Sequence, residues 1–218
     1  HQPRESADGR YVAFDSTASN LVTGDTNGLR DIFIKDMTTG VTTRVSTLAS
    51  GGQANGNSFS PSLSSNGRFL AFESGADNLV AGDSNWRCDI FVKDLTTGVV
   101  TLVTTTTAGG QANNHSYRPK VSADGRMVVF QSDASNLVAG DTNGTSDIFV
   151  KDLTSGAITR VSTAVDGSEG DNASSAPAIS ADAGVVVFVS SAGNLVSADV
   201  NGNTDVFVKY IADTLVDT

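Results

Sequence analysis

Four short loops of the chain carry aspartate and asparagine at one spacing, which reads Asp-x-Asn-Gly-x-x-Asp in three of them. Calcium is a hard cation that takes about six to eight oxygen ligands, and a tight turn can bring carboxylate and amide oxygens around it. Asx side chains also cap ordinary turns, but a plain turn does not need an acid at both ends of the loop. The loops therefore predict bound Ca2+, with these ligand residues: Asp25, Asn27, Asp31, Asp83, Asn85, Asp89, Asp141, Asn143, Asp147, Asp199, Asn201 and Asp205.

The second loop differs from the others in its fourth residue. Gly28, Gly144 and Gly202 can adopt positive φ there, whereas the second loop has Trp86 and is predicted to be the weakest site. Trp86 is the only tryptophan, and two roles are open for it. Its ring could bind a ligand by stacking on a sugar beside the calcium, or it could pack locally over the altered loop. None of the loops is an EF-hand, because no glutamate stands at loop position 12.

The same residue types do not favour catalysis. Carboxylates recur in every repeat, whereas a catalytic pair would break the repeat once. Hydrolytic nucleophiles need a positioned base, and His1 and His115 are the only imidazoles of the chain. Cys88 is the only cysteine, which excludes an intramolecular disulfide and argues against a zinc or redox centre. We therefore predict that the protein is not an enzyme.

A repeat of 58 residues positions these loops. The string DIFIKD at 31–36 returns as DIFVKD at 89–94 and 147–152 and as DVFVKY at 205–210. The four prolines keep the same spacing, at Pro3, Pro61, Pro119 and Pro177. The chain is therefore predicted to be one repeat domain, residues 1–218, with the units 1–58, 59–116, 117–174 and 175–218.

Each unit is predicted to form four short antiparallel strands. The first follows the proline, an Asp-Gly or Asn-Gly pair favoured by two-residue hairpins leads to the second, and the DIFVKD string is the third. A Thr-Gly or Ser-Gly turn leads to the fourth, such as Val41 to Ser46. No segment keeps a helical period, so the fold class is all-β. Four-stranded units in series fit a β-propeller better than a β-solenoid, and a closed ring and a segment of a longer array both stay open.

Three further positions recur in every unit. The lysine of the third strand is predicted to face solvent or to protect a strand edge: Lys35, Lys93, Lys151 and Lys209. An asparagine before the long loop is predicted to cap a turn, with an extra metal oxygen as the alternative: Asn20, Asn78, Asn136 and Asn194. The Leu-Val pair that follows it, Leu21-Val22 in the first unit, is predicted to fasten the loop to its blade.

The repeat also resembles a known family. The run S-x-D-G-R-x-V-x-F, followed by D-I-F-V-K-D and by T-G-x-x-T-R-V-S, is similar to the WD40-like (PD40) repeats of TolB-type β-propellers. The likeness covers nearly the whole chain. It departs from the pattern in the longer segment between the second and third strands and in the fourth unit, which has Asp182-Ala183 and Asp213-Thr214 in place of the turn glycines. The resemblance implies a propeller that serves as a binding or assembly scaffold more often than as an enzyme.

The composition of the chain limits where the protein is expected to work and which classes of partner it can bind. The chain has 24 acidic and 14 basic side chains, a formal charge of −10 and a pI near 4.4. Such a field repels nucleic acid and anionic lipid, and no apolar run approaches the roughly 18 residues of a membrane-spanning helix. Calcium outside cells would fill even weak sites. We therefore expect an extracellular or cell-surface protein whose signal peptide has been removed.

Together these features predict a non-enzymatic, calcium-stabilised β-propeller with a structural or adhesive role. In this interpretation the protein is a subunit of a surface layer or filament, and its partners are other copies of itself. The alternative is a lectin-like module that binds surface glycans or peptides through Trp86 or the Asn-rich loops. Neither role involves nucleic acid or a membrane span.

Overall fold

The computed structural model describes residues 3–197, 199 and 201–211. Within these residues the chain forms fifteen strands in four antiparallel sheets, here called blades 1 to 4. Blade 1 contains β1 (Arg4–Glu5), β2 (Tyr11–Ser16), β3 (Asp31–Asp36) and β4 (Thr42–Arg44). Blade 2 contains β5 (Ser58–Leu63), β6 (Phe69–Ser74), β7 (Asp89–Asp94) and β8 (Val100–Leu102). Blade 3 contains β9 (Ser116–Val121), β10 (Met127–Ser132), β11 (Asp147–Asp152) and β12 (Ile158–Arg160), and blade 4 contains β13 (Ser174–Ile179), β14 (Val185–Ser190) and β15 (Asp205–Tyr210).

The predicted all-β fold with antiparallel blades is confirmed. Consecutive strands pair within each blade, and no helix long and apolar enough to span a membrane occurs in the described part of the chain. The fourth strand expected for the last unit falls after Ile211 and lies outside the described residues. One local prediction is wrong: the Asp-Gly pairs do not form two-residue hairpins. In the turn that Gly9 N–H closes onto Ser6 O, the glycine alone has positive φ, whereas a type I′ turn needs positive φ at both central residues.

In blades 2 to 4 the proline lies in the innermost strand, where a missing N–H is tolerated because that strand is a sheet edge, and Pro3 directly precedes the innermost strand of blade 1. In blades 2 to 4 a β-bulge accompanies the proline, and the residue before it has positive φ: Ser60, Arg118 and Ala176. The innermost strands surround a cavity of about 310 Å³, which is lined by residues of all four blades, among them Arg4, Pro61, Lys120 and Pro177. This cavity marks the centre around which the blades are arranged.

The apolar core is divided into layers between successive blades. We call the sheet face towards the following blade the rear face and the opposite one the front face. Ile32 and Ile34 on the rear face of blade 1 belong to one buried cluster with Leu70 and Phe72 on the front face of blade 2. Equivalent clusters join blade 2 to blade 3 and blade 3 to blade 4. Among the described residues no such cluster joins blade 4 to blade 1.

The lysine of the third strand links each blade to the one before it. Lys93 Nζ donates to the carbonyl oxygens of Val45 (3.2 Å) and Thr47 (2.9 Å), and it also contacts the Thr47 hydroxyl. Lys151 and Lys209 reach the preceding blade in the same way. Lys93 and Lys151 are buried. The prediction that these lysines face solvent is therefore wrong, because the preceding blade covers the face on which they lie and its loop supplies the acceptors.

The asparagine before the long loop makes a second link between blades. Asn78 Oδ1 accepts from the backbone N–H of Asn55, and Asn78 Nδ2 donates to Gln53 O, both at 3.0 Å. Asn136 and Asn194 hold the preceding loop in the same manner. The asparagine thus has a structural role, as predicted, but it holds the loop of the preceding blade instead of capping a turn of its own loop, and its use as a metal ligand stays a prediction. The leucine that follows is buried in the cluster between two blades, so it fastens the loop to the preceding blade as well as to its own.

Blade 1 carries the same three linking residues, but among the described residues no blade packs on the face that presents them. Leu21 is 37% exposed, whereas Leu79, Leu137 and Leu195 are buried. Within the described residues Lys35 and Asn20 make no hydrogen bond to a preceding loop. The front face of blade 1 is therefore equipped for a neighbouring blade.

Replacing Lys93 with methionine is expected to lower the free energy of unfolding by about 1–3 kcal/mol, because two backbone carbonyls of blade 1 lose a charged donor in a buried position. Lys35→Met is the matched control. It removes the same side chain where no preceding blade accepts it, and it should change stability by less than about 0.5 kcal/mol. Urea unfolding followed by circular dichroism measures both. Equal losses in the two variants would show that the lysine stabilises its own blade instead.

Candidate metal centre

The four Asp/Asn loops connect the second strand of each blade to the third, and the last aspartate of each loop begins that third strand. In blade 1, Asn27 Oδ1 accepts from the backbone N–H of Leu29 at 3.0 Å, and Asn27 Nδ2 donates to Asp31 Oδ2 at 3.0 Å. Asn143 repeats both contacts in blade 3. In this arrangement the asparagine caps the turn and directs its amide nitrogen at the aspartate. A ligand role for its oxygen stays a prediction.

Trp86 keeps the turn that glycine forms in the other loops. Its φ is 57°, close to the 68° of Gly28 and the 67° of Gly144. The loss of glycine therefore does not change the backbone around the second site. The ring is 80% exposed, so local packing does not account for it. A large side chain in the left-handed region, with its ring in solvent, is uncommon.

Trp86→Gly is expected to raise the free energy of unfolding by up to about 1 kcal/mol, because glycine adopts positive φ without the steric cost that a side chain carries. Thermal unfolding of the variant beside the wild-type protein measures this change. A clear loss of stability would instead assign the indole a packing role.

The second aspartate of each loop is fully buried in blades 1 to 3. One of its oxygens accepts a hydrogen bond of 2.5 Å from a hydroxyl group after the fourth strand, in the pairs Ser46–Asp31, Thr104–Asp89 and Ser162–Asp147. The first aspartate of the loop lies on the other side of the turn. The two carboxylates thus form an acidic pair, in which the charge of the buried Asp89 acts on Asp83.

In blade 1 an arginine from β4 lies between the two carboxylates. Arg44 Nη1 is 3.1 Å from Asp25 Oδ1 and 3.9 Å from Asp31 Oδ2. The same nitrogen donates to Gln53 Oε1 at 2.7 Å, and Nη2 is 3.4 Å from Gly24 O. The guanidinium therefore contacts four oxygens and supplies the positive charge that the loop requires.

Blade 3 repeats this arrangement with one more acid. Asp141, Asp147 and Glu169 place carboxylate oxygens within 4.8 Å of one another, which is a grouping able to hold a metal ion. Arg160 Nη1, however, is 2.5 Å from Glu169 and 3.5 and 3.6 Å from the two aspartates, and Nη2 donates to Gly140 O at 3.1 Å. The guanidinium thus stands at the centre of the acidic group, so the carboxylates already have a counter-charge.

Blade 2 has the acidic pair without the arginine. Leu102 occupies the position of Arg44 and Arg160 in the repeat. Among the described residues Asp83 Oδ1 and Asp89 Oδ2 are buried and have no hydrogen-bond partner. Burial, together with the charge of Asp89, raises the pKa of Asp83 to about 6, and burial also raises the pKa of Asp89.

The loop of blade 4 is the most open of the four. Asn201 Nδ2 donates to Asp205 Oδ2 at 3.0 Å, as in blades 1 and 3, but Asn201 is exposed and Asp205 and Asp199 are only half-buried. The residue at the position of Arg44, Thr218, lies outside the described residues, as does Val200 within the loop. The described part of this loop therefore presents two carboxylates close to solvent.

The sequence analysis located all four loops but missed the residues that complete them. These are the arginine of the fourth strand and the Gln53, Gln111 and Glu169 position nine residues after it. The repeat itself could have indicated the arginine position, because Arg44, Leu102 and Arg160 are spaced by 58 residues. Of these three residues only Leu102 lacks a charge. The fourth strand and the loop are distant in sequence, and they meet only because the fourth strand pairs with the third.

The other residue types associated with catalysis have structural contacts. His115 Nδ1 accepts a hydrogen bond of 2.8 Å from the backbone N–H of Cys88, and its ring stacks on Tyr117. Burial, with smaller effects from Glu73 and Asp89, raises the pKa of the Cys88 thiol to about 12. A thiol with such a pKa is not a nucleophile at neutral pH.

Comparison with solved structures identifies the architecture. TolB from Acinetobacter baumannii is similar over 97% of this chain, with a TM-score of 0.55 and 22% identity, and the chain spans 41% of that protein. A putative TolB from Agrobacterium tumefaciens matches 95% of this chain and 73% of its own, with a TM-score of 0.56 and 17% identity. The β-propeller domain of the Trilobed protease from Pyrococcus furiosus, described as having an open velcro topology, matches 87% of this chain and 47% of its own, with a TM-score of 0.50 and 14% identity.

Sequence comparisons add no relative to these structures. No family model matches the sequence, and a search of curated proteins finds no significant match. The similar structures are β-propellers, and they support the same fold for this chain. In this chain consecutive strands pair within each blade. The chain therefore has the fold of consecutive blades of a TolB-like β-propeller.

Proposed function

We propose that the protein is a non-enzymatic structural β-propeller that assembles with other copies of itself through its two end faces. The main observation that supports this proposal is the exposed rear face of blade 4. Val206 is 68% exposed and Val208 is 56% exposed, whereas Ile148 and Val150 at the same positions in blade 3 are buried against the next blade. Three of the four rear faces are thus covered by a front face, and the fourth is of the same apolar type.

The front face of blade 1 has the matching chemistry. Val12 and Phe14 are half-buried there, while Leu70 and Phe72 at the same positions in blade 2 are fully buried under blade 1. A front face of this kind packs against the rear face of another blade. Blade 4 of a second copy of this chain has such a rear face. Contacts between two different faces are heterologous, so they produce a closed ring or a filament.

A non-enzymatic role is supported by the chemistry of the described residues. The imidazole of His115 and the thiol of Cys88 are engaged in structural contacts. In blades 1 and 3 the guanidinium groups of Arg44 and Arg160 contact the carboxylate pair and each offset one of its negative charges. An extracellular or cell-surface location and stabilisation by calcium complete the proposal. They are supported by the formal charge of −10 and by the oxygen-rich loops.

Analytical ultracentrifugation over a wide range of protein concentration, with electron microscopy of the same samples, tests the assembly. We expect species larger than the monomer that become more abundant with concentration and appear as rings or filaments. The experiment is repeated with calcium and with chelator, because calcium is expected to stabilise each copy rather than to join copies. A protein that stays monomeric at all concentrations in both buffers would overturn the proposed assembly.

A second candidate function is a module that binds glycans or peptides, and the exposure of Trp86 favours it. An indole ring in solvent stacks well on the apolar face of a sugar. A glycan array with wild-type protein and with Trp86→Gly, each with and without calcium, tests this role. Binding that disappears in the variant would support it, and an array without binding would remove it.

A further inference from the structure

We propose that the loop of blade 2 binds one divalent cation, with calcium as the best fit, at the position that Arg44 and Arg160 occupy in blades 1 and 3. This inference rests on the calcium part of the proposed function and is independent of self-assembly. It changes the expectation from the sequence in two ways. The loop predicted to be the weakest becomes the principal site, and the ligand set extends beyond the loop.

The guanidinium groups of blades 1 and 3 outline the site. Each contacts the same four kinds of oxygen: both loop carboxylates, a side-chain oxygen nine residues after the arginine, and the carbonyl before the first aspartate. Blade 2 has all four. They are Asp83 Oδ1, Asp89 Oδ2, the amide oxygen of Gln111 and the carbonyl of Gly82. Gln111 Nε2 donates a hydrogen bond of 2.8 Å to that carbonyl, and Gln111 Oε1 accepts one of 3.3 Å from the backbone N–H of Ser84.

Neither carboxylate of blade 2 forms an ion pair among the described residues, and Asp89 Oδ1 accepts only the hydrogen bond from Thr104. Asp89 is fully buried, and its Oδ2 has no hydrogen-bond partner among the described residues. The charges that act on Asp83 are those of Asp89 and Asp77, both negative. Thr104, Asn85 and His115 each favour the charged form of Asp89, but burial outweighs them and raises its pKa, and His115 uses Nδ1 to accept a backbone hydrogen bond. Buried carboxylate oxygens are normally paired or bound to a metal ion, so this pair favours the binding of a cation.

The types of oxygen atom at the site of blade 2 determine which cation binds best. Two carboxylates, an amide oxygen and a backbone carbonyl are the hard ligands that calcium prefers, and water can complete its flexible coordination shell. Two formal negative charges match a divalent ion. The loop opens to solvent at Ser84 and Trp86, which are exposed and leave the site accessible. Magnesium demands near-octahedral geometry and retains its water, so it should bind less tightly here.

Equilibrium dialysis with radioactive calcium in the presence of excess magnesium measures the stoichiometry. We expect one ion per chain, with a dissociation constant of about 0.1–1 mM, as in extracellular modules. Trp86 is the only tryptophan and stands in the same loop, so its fluorescence should change over the same calcium range. Asp83→Asn should lose both the bound ion and the fluorescence change.

Two reciprocal substitutions separate this site from the other loops. Leu102→Arg places the arginine of blades 1 and 3 into blade 2, so it should abolish calcium binding while keeping a melting temperature in chelator at or above that of the wild-type protein. Arg44→Leu opens the corresponding site of blade 1 and should raise the stoichiometry to two. Unchanged binding in Leu102→Arg, or wild-type binding of no ion or of three or more ions, would overturn the inference. The assembly state measured by ultracentrifugation is a separate result.

Discussion

Replacing Arg160 with leucine is expected to lower the free energy of unfolding by about 3–5 kcal/mol in chelator, because removal of one partner leaves buried carboxylates without a counter-charge. Arg160 is largely buried and contacts Asp141, Asp147 and Glu169. Urea unfolding at neutral pH measures the loss. Added calcium should recover part of it, since the ion can take the place of the guanidinium.

The control for this prediction is Arg68→Leu. Arg68 pairs with Asp94 at 2.8 Å on the surface, with about half of its side chain exposed, so its removal should cost less than about 1 kcal/mol. The two variants remove the same side chain and differ in the burial of the acids. If both lost the same small amount of stability, the carboxylates of blade 3 would not depend on the guanidinium for their charge balance.

Val208→Asp is expected to weaken self-association by a factor of about 100 or more, because a carboxylate would be buried against an apolar face without a partner. Val208 is exposed in the single chain, so the variant should fold with nearly unchanged stability. Sedimentation velocity over a concentration series measures the shift in association.

Val165→Asp provides the matched control for that variant. Val165 is 90% exposed in the loop after β12, away from the rear face of blade 4, and the same change there should leave association intact. Association that survives Val208→Asp would assign the interface to another surface. Association lost in both variants would point to the added charge rather than to the face.

The strands could be predicted from the sequence because local pattern and repeat agree. The third strand was predicted at 31–36, 89–94, 147–152 and 205–210, and it has these bounds in all four blades. The 58-residue spacing showed where each blade begins, since an irregular chain would not keep Pro61 and Pro119 in phase with these strings. Periodicity sufficed because every blade repeats the same short-range pairing of neighbouring strands.

The contents of the candidate site could not be predicted in the same way. Arg44 and Asp25 lie 19 residues apart, and their contact depends on how far the arginine extends across the blade. The direction of Lys93 depends on the packing of two blades, which the pattern of one strand does not contain. Trp86 was predicted to weaken its loop because a side chain at positive φ is unfavourable; the structure keeps the glycine-like turn there, and the relative strength of the site stays a prediction. Each of these outcomes depends on three-dimensional neighbours.

The three recurrent side chains that link the blades all contact the preceding blade, and this has a consequence for biosynthesis. Lys93, Asn78 and Leu79 each contact the blade that was translated before their own. The preceding blade can therefore be folded already when the next blade leaves the ribosome. Folding can then proceed from the amino to the carboxyl end, one blade at a time. The ribosome thus releases the acceptor surface before each blade that needs it, so the order of synthesis matches the order of assembly.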